Sequence, residues 1–156
     1  MVEFSKEALE RFQTMLVKYP EKEAALLPTL WIAQEEFGHL SRDVMVYVGQ
    51  LLDIPPSKVY SVASFYTMFK KEPTGKYFIQ VCRTLPCQLN GAEEVTKHIS
   101  DKLGIKVGET TPDNKFTLIE VECLGSCGTA PMLQLNNDYH ENLTKSKIDQ
   151  LIDGLT

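Results

Sequence analysis

Four cysteines constrain this 156-residue chain more than any other feature, because they are its only cysteines and they fall in two tight pairs. Cys82 and Cys87 bracket CRTLPC, Cys123 and Cys127 bracket CLGSC, and thirty-five residues lie between the pairs. Two thiolates four or five positions apart can turn toward one metal centre, and two such loops can close a four-thiolate site. A fold that uses all four must therefore bring residues 82–87 and 123–127 together. The spacings bear on the kind of centre. Structural zinc sites favour two to four residues between paired cysteines, often two. A dithiol redox centre needs C-x-x-C, which neither pair has. Disulfide frameworks belong to cysteine-dense secreted domains. Iron–sulfur clusters accept varied spacings, and this one differs from the plant-type C-x4-C-x2-C pattern. The residues favour an iron–sulfur cluster, with zinc and inert or disulfide-linked cysteines as the alternatives.

The flanking residues suit such a centre. Gly125 and Gly128 beside the second pair let backbone N–H groups approach a sulfur. Pro86 and Pro131 fix local φ and remove donors that would need partners. Leu85, Leu124 and Met132 can form an apolar cover, and a dry shell with a few backbone donors tunes a cluster potential. Ser126, next to Cys127, is expected to donate its hydroxyl to sulfur or, equally, to cap the turn. Glu120 and Glu122 can be charges near the centre or the wet face of a strand. The histidines His39, His98 and His140 are scattered, without metal-site spacing, and read as helix-end, solvent-facing or packing residues. His140 alone is near enough in sequence to watch as a donor to the ligands. No G-x-G-x-x-G or P-loop occurs, so nucleotide and flavin binding would have to come from elsewhere, and no catalytic residue is assigned.

Composition removes other classes. The net charge of −5 comes without a basic stripe, which argues against a nucleic-acid partner. No apolar run approaches a membrane span. The start, MVEFSKEALE, has neither a signal-peptide pattern nor an arginine-rich presequence, and a bacterial cytoplasmic setting is expected.

The first part of the chain reads as helices. Ser5 caps one with Leu9, Phe12 and Leu16 on its face, ending before Pro20. A second runs from about Glu23 to Phe37 and stops at Gly38, with Pro28 in its first turns or at a bend. Ser41 caps a third with Val44, Val48, Leu51 and Leu52 inward, and a fourth starts at Pro55–Pro56 and carries Val59, Val62 and Phe65. The segment FYTMF is core or a partner surface, with periodicity favouring core. Four short helices with brief links make a small bundle.

From Lys76 the period changes. KYFIQVC reads as a buried strand ending at Cys82. Asn90 and Glu93 form a capping pair for a helix with Ala92, Val95, Ile99 and Leu103 inward, ended by Gly104. KFTLIEVE is a strand leading to Cys123; MLQL and DYHENL flank Asn136–Asn137 as a hairpin; Thr144 caps a last helix through Ile148, Leu151 and Ile152. Both cysteine loops follow strand ends, where open α/β sheets hold ligands.

CRTLPC with QLNG, then KFTLIEVECLGSCGTAP, the polar hairpin and LT resemble the 24 kDa subunit family of respiratory complex I. LPTLWIAQEEFGHLS and VYSVASFYTMF resemble that family's helical half, so the likeness covers nearly the whole chain. Ser126 and Asn90 depart from it, standing where many members carry alanine and a basic residue. The resemblance implies an α+β chain, with a helical bundle over 1–72 and a thioredoxin-like 2Fe–2S domain over 73–156. It implies that Cys82, Cys87, Cys123 and Cys127 hold one 2Fe–2S cluster. Each short loop spans one metal's ligands more readily than two, so Cys82 and Cys87 are expected on one iron and Cys123 and Cys127 on the other. The implied role is the electron-transfer subunit of NADH:quinone oxidoreductase. Its partners would be a flavoprotein subunit that binds FMN and NADH and other peripheral-arm subunits, on the cytoplasmic side of a bacterial inner membrane. Related roles are the equivalent subunit of an NAD-linked hydrogenase or formate dehydrogenase, or a free-standing ferredoxin of this fold.

Overall fold

Alternating apolar residues and helix-period apolar faces sort this chain into two compact units, Met1–Pro73 and Thr74–Thr156, in a computed structural model that describes residues 2–155. The first unit is helical. Helix α1 (Lys6–Leu16) opens where the Ser5 hydroxyl accepts from the Ala8 N–H at 3.2 Å, satisfying one of the donors that a helix start leaves unpaired. The inward face differs from the expected one: Ala8 and Phe12 are buried and Leu9 is exposed. Phe4, just ahead of the helix, packs against Phe12, Phe37 and Tyr47, and this anchor sets the rotation of α1.

The second helix begins later than its sequence suggests. Lys22–Ala25 forms a 3₁₀ turn, and α2 (Leu26–Phe37) starts after it. Pro28 then falls in the first turn of α2, where its missing N–H breaks no intrahelical bond. Gly38 closes α2 at φ 78°, a conformation that suits glycine. Helix α3 (Arg42–Leu52) is capped by Ser41, buries Val44, Val48 and Leu52, and leaves Leu51 half-buried. Helix α4 (Pro56–Phe65) buries Val59 and Ala63. FYTMF divides between the two readings. Phe65 is 78% exposed, whereas Phe69 is buried with its ring 5.7 Å from that of Trp31. The division arises because α4 stops at Phe65 and the chain turns inward. Gln34 holds that turn, donating to the Met68 carbonyl at 3.0 Å and accepting from the Lys70 N–H at 2.6 Å.

The second unit is built on a mixed sheet of order β2-β1-β3-β4, formed by β1 (Tyr77–Cys82), β2 (Phe116–Val121), β3 (Leu133–Leu135) and β4 (Asp138–His140). β1 runs parallel to β2, in register from Tyr77↔Phe116 to Cys82↔Val121, and antiparallel to β3. Between β1 and β2 the chain forms a short helix, α5 (Leu85–Leu89), and then α6 (Ala92–Leu103); α7 (Lys145–Asp153) follows β4. Helices α6 and α7 cover the sheet, where Ile79, Val81, Leu118 and Leu133 meet Ile99 and Ile148 in one apolar core. His98 Nε2–H donates to Asp149 Oδ1 at 2.9 Å, linking α6 to α7, which is a packing role. No helix of the described residues is long and apolar enough to cross a membrane.

Helix α5 has no counterpart in the sequence reading, and it changes the start of α6. Asn90 ends α5, its side-chain amide donating to the Pro86 carbonyl at 2.7 Å, and Gly91 at φ 90° precedes α6 without a side-chain cap. The Asn90–Glu93 capping pair therefore does not form. The entry to β1 is equally tight: a Cβ on Gly75 would lie 2.8 Å from Phe116 backbone atoms. Because backbone cannot yield as a side chain end can, Gly75→Ala is expected to cost about 1–3 kcal/mol. Urea unfolding followed by circular dichroism should show a lower midpoint, and an unchanged midpoint would contradict this close approach.

Candidate metal centre

The parallel pairing of β1 and β2 places the carboxyl ends of both strands at one end of the sheet. Cys82 is the last residue of β1, and Cys123 lies two residues beyond β2. The backbone around Cys82 is held from both sides: its N–H donates to the Met132 carbonyl at 3.2 Å, and the Arg83 N–H donates to the Val121 carbonyl at 3.0 Å. Cys87 sits within α5, and Cys127 opens a 3₁₀ turn, Cys127–Thr129. All four cysteines are free in this structure.

The thiols perturb one another's pKa in two couples, Cys82 with Cys87 and Cys123 with Cys127. The couples also sense each other, since Cys127 interacts electrostatically with both Cys82 and Cys87. No three His, Cys, Asp or Glu side chains among the described residues are grouped as ligands of a single ion.

The couples differ in environment. Cys82 and Cys87 are buried with Ala92 and Met132, and Leu124 and Ala130 pack beside them. Cys123 and Cys127 are exposed. Of the expected apolar cover, Met132 and Leu124 are in place, but Leu85 is 69% exposed. The α5 turn carries Leu85 outward with Leu89, which lies one turn later and is 78% exposed.

Donors surround the sulfurs. The Gly125 N–H donates to Cys123 Sγ at 3.3 Å, with Gly125 at φ 83°. Gly128 plays no such part, and a Cβ there would meet open space. Thr84 Oγ1 lies 3.3 Å from Cys82 Sγ. Thr84 stands at the N-cap of α5 yet makes no side-chain cap bond, because its hydroxyl is at the sulfur. Burial pushes the Cys82 thiol up, but Thr84, through its hydroxyl and backbone, the Leu124 N–H and Cys87 outweigh it, so its pKa lies below the ordinary value. Burial, and the Cys82 sulfur toward which its own proton is donated, push the Cys87 pKa up to about 11. The neighbouring Cys123 sulfur, with burial second, raises that of Cys127.

Ser126 is not in contact with sulfur. Its hydroxyl lies 2.7 Å from that of Thr129 and donates to the Glu141 carboxylate. Thr84, not Ser126, supplies the side-chain hydroxyl at a thiol; a hydroxyl two residues after a strand-end cysteine is the signal that could have found it. Glu122 is paired with Arg83, whose Nη2 and Nε donate to one carboxylate oxygen at 2.6 and 3.0 Å. That exposed pair joins the residue after Cys82 to the residue before Cys123. Glu120 lies on β2, one of the two outer strands of the sheet, and is half-buried. His140 pairs with Leu133 across the hairpin, and His39 lies in the turn between α2 and α3.

The profile of the thioredoxin-like [2Fe-2S] ferredoxin matches residues 12–156. The chain belongs to this family. It is 46% identical to a subunit of the NADH-quinone oxidoreductase of Rickettsia felis, over 96% of this chain and 92% of that protein. It is 47% identical to the mitochondrial NADH dehydrogenase [ubiquinone] flavoprotein 2 of Dictyostelium discoideum, over 98% of this chain and 63% of that protein. The chain thus spans less than two thirds of the Dictyostelium relative. The fold is shared with a chain of an NAD+-reducing [NiFe]-hydrogenase, at a TM-score of 0.73 and 24% identity over 84% of this chain and 22% of that one. The family's cofactor is a 2Fe–2S cluster, and the donor set fits it: four free thiols in two couples, N–H and O–H donors at sulfur, and an apolar wall on one side.

The two couples should differ in reactivity in the cluster-free, reduced chain. A thiol with a pKa of about 11 is about a thousandth ionised at pH 8, and the thiolate is the nucleophile. Cys87 should therefore be alkylated slowest, behind the exposed Cys123 and Cys127, and speed up as pH rises toward 11. Peptide mass spectrometry after timed iodoacetamide exposure checks this, and Cys87 labelling first would contradict the geometry.

Proposed function

We propose that Cys82, Cys87, Cys123 and Cys127 hold one 2Fe–2S cluster, with Cys82 and Cys87 on one iron and Cys123 and Cys127 on the other. What supports this reading is that the parallel strands β1 and β2 bring Cys82 and Cys123 to one end of the sheet, in a chain of a family whose cofactor is a 2Fe–2S cluster. When bound, the cluster supplies a site that gains and loses one electron. The chain's own residues then ligate, shield and position. Met132 and Ala92 keep water from the buried couple, while the Gly125 N–H and the Thr84 hydroxyl donate to sulfur. Donors to sulfur favour the more negative, reduced form and raise the potential.

The role that fits is the electron-transfer subunit of an NADH:quinone oxidoreductase, docked on a flavoprotein subunit that binds FMN and NADH, at the cytoplasmic side of a bacterial inner membrane. A relative at 46% identity, matched over nine tenths of its own length, carries the name of a subunit of NADH-quinone oxidoreductase. This supports the quinone oxidoreductase over an NAD-linked hydrogenase or formate dehydrogenase. The exposed Cys123–Cys127 side is where a partner's cofactor can approach. Exposed Leu85 and Leu89 on the helix that carries Cys87, and exposed Phe65 and Tyr60 on α4, supply apolar surface for docking. A free-standing ferredoxin has no use for the helical unit.

Protein purified without oxygen should be reddish-brown, with about two irons and two sulfides per chain. Colourless protein with stoichiometric, chelator-resistant zinc would overturn the assignment. The isolated chain should not oxidise NADH, and co-expression with the flavoprotein should yield a complex that does. Thr84→Val, which removes the hydroxyl and keeps the shape, should lower the midpoint potential. The scale is roughly 40 mV, a net hydrogen bond of about 1 kcal/mol in a one-electron couple. A redox titration showing an equal or higher potential would remove Thr84 from the set of donors.

A further inference from the structure

The two cysteine loops are fixed by different means. The Cys82 loop is anchored by a buried strand and a helix turn. The Cys123 loop carries its cysteines exposed, so core packing does not hold them. Instead, the end of β4 and the segment after it lie along it. Tyr139 Oη donates to the Leu124 carbonyl at 2.8 Å, the Asn142 N–H donates to the Thr129 carbonyl at 2.7 Å, and the Leu143 N–H donates to the Pro131 carbonyl at 3.0 Å. Between these ties, one oxygen of the Glu141 carboxylate accepts from Thr129 Oγ1 at 2.7 Å and from Ser126 Oγ. Thr129 and Ser126 are also joined through backbone, the Thr129 N–H donating to the Ser126 carbonyl at 3.2 Å. Cys127 lies between the two residues whose hydroxyls Glu141 gathers.

We propose that residues 139–143 form a strap and that Glu141 is its clasp, a positioning residue that holds the 126–129 turn in the shape that presents Cys127 to the cluster. Three properties support the role. The carboxylate receives two hydroxyls from one turn, so it closes that turn as well as tethering it. Those hydroxyl bonds also hold the Glu141 carboxyl below the usual carboxylate range, which keeps it the acceptor at neutral pH. And the strap is rooted: Leu143 is buried in the sheet core, and Thr144 caps α7 by accepting from the Lys147 N–H at 3.3 Å. Glu141 touches no sulfur in this arrangement. It acts through Ser126 and Thr129 on the position of Cys127.

This inference rests on the cluster assignment, and the experiment separates the two. Wild type, Glu141→Ala and Glu141→Gln are reconstituted with iron and sulfide, and the bleaching of visible absorbance is timed under excess chelator, with circular dichroism as the control on folding. If the wild type takes up no cluster, the cluster assignment fails, and the clasp with it. If it does, Glu141→Ala is expected to bleach about threefold faster, the modest scale of an exposed, solvent-screened contact. Glu141→Gln, whose amide oxygen still accepts from both hydroxyls, is expected to bleach at close to the wild-type rate. Its midpoint potential should shift upward, because a negative charge near the cluster is lost. Joining Ser126→Ala and Thr129→Val to Glu141→Ala should add little, since all three remove the same contacts. Equal bleaching of wild type and Glu141→Ala overturns the clasp, as does Glu141→Gln bleaching as fast as Glu141→Ala. Should Glu141→Ala take up no cluster, Glu141→Gln decides: wild-type retention supports the clasp, and loss overturns it.

Discussion

The parallel pairing of Tyr77–Cys82 with Phe116–Val121 is the constraint on which the site depends. Parallel strands end on the same side, so a cysteine pair that begins at or just past each strand end is carried to one end of the sheet. Register matters as much as direction. Cys82 stands opposite Val121, and a slip of one residue would turn every side chain of β1 to the other face, taking Ile79 and Val81 out of the core they share with Ile99 and Ile148. The apolar core that opposes such a slip, with Ile79 and Val81 against Ile99 and Ile148, thus also fixes the first sulfur. Packing energy and ligand placement are one problem here.

The two halves of the site answer different demands. The Cys82–Cys87 couple is dry, covered by Met132 and Ala92, and its thiols resist solvent. The Cys123–Cys127 couple is open. A centre that exchanges electrons with a partner cannot be enclosed on all sides, and an open side cannot be stiffened by burial. Hydrogen bonds to a strap supply the stiffness in its place. The exposed Arg83–Glu122 pair adds a tie between the loops, though a surface ion pair is worth little alone.

Much of this is legible in the residues because periodicity and caps agree there. Ser41 and Thr144 cap the helices their sequence positions suggest, Gly38 and Gly104 end theirs at positive φ, and KYFIQVC ends its strand at the cysteine. What escapes a sequence reading has no periodic signal. LPCQL is too short to show a helical face, and Pro86 reads as a turn, so α5 and the outward course of Leu85 are invisible there. Leu9 and Ala8 exchange roles because Phe4, outside the helix, sets its rotation. Ser126 stands beside a sulfur in sequence, whereas its partner Glu141 is fifteen residues away. Contacts between distant surface loops leave no pattern in a single sequence.

The claim that the four thiols hold a single two-iron cluster is tested most directly by electron paramagnetic resonance of the dithionite-reduced protein. A 2Fe–2S centre that has taken up one electron predicts a signal integrating to about one spin per chain, absent before reduction and lost together with bound iron when any one of the four cysteines is changed to alanine. No spin on reduction in protein that retains its iron, or an undiminished signal after removal of any of those cysteines, would contradict it.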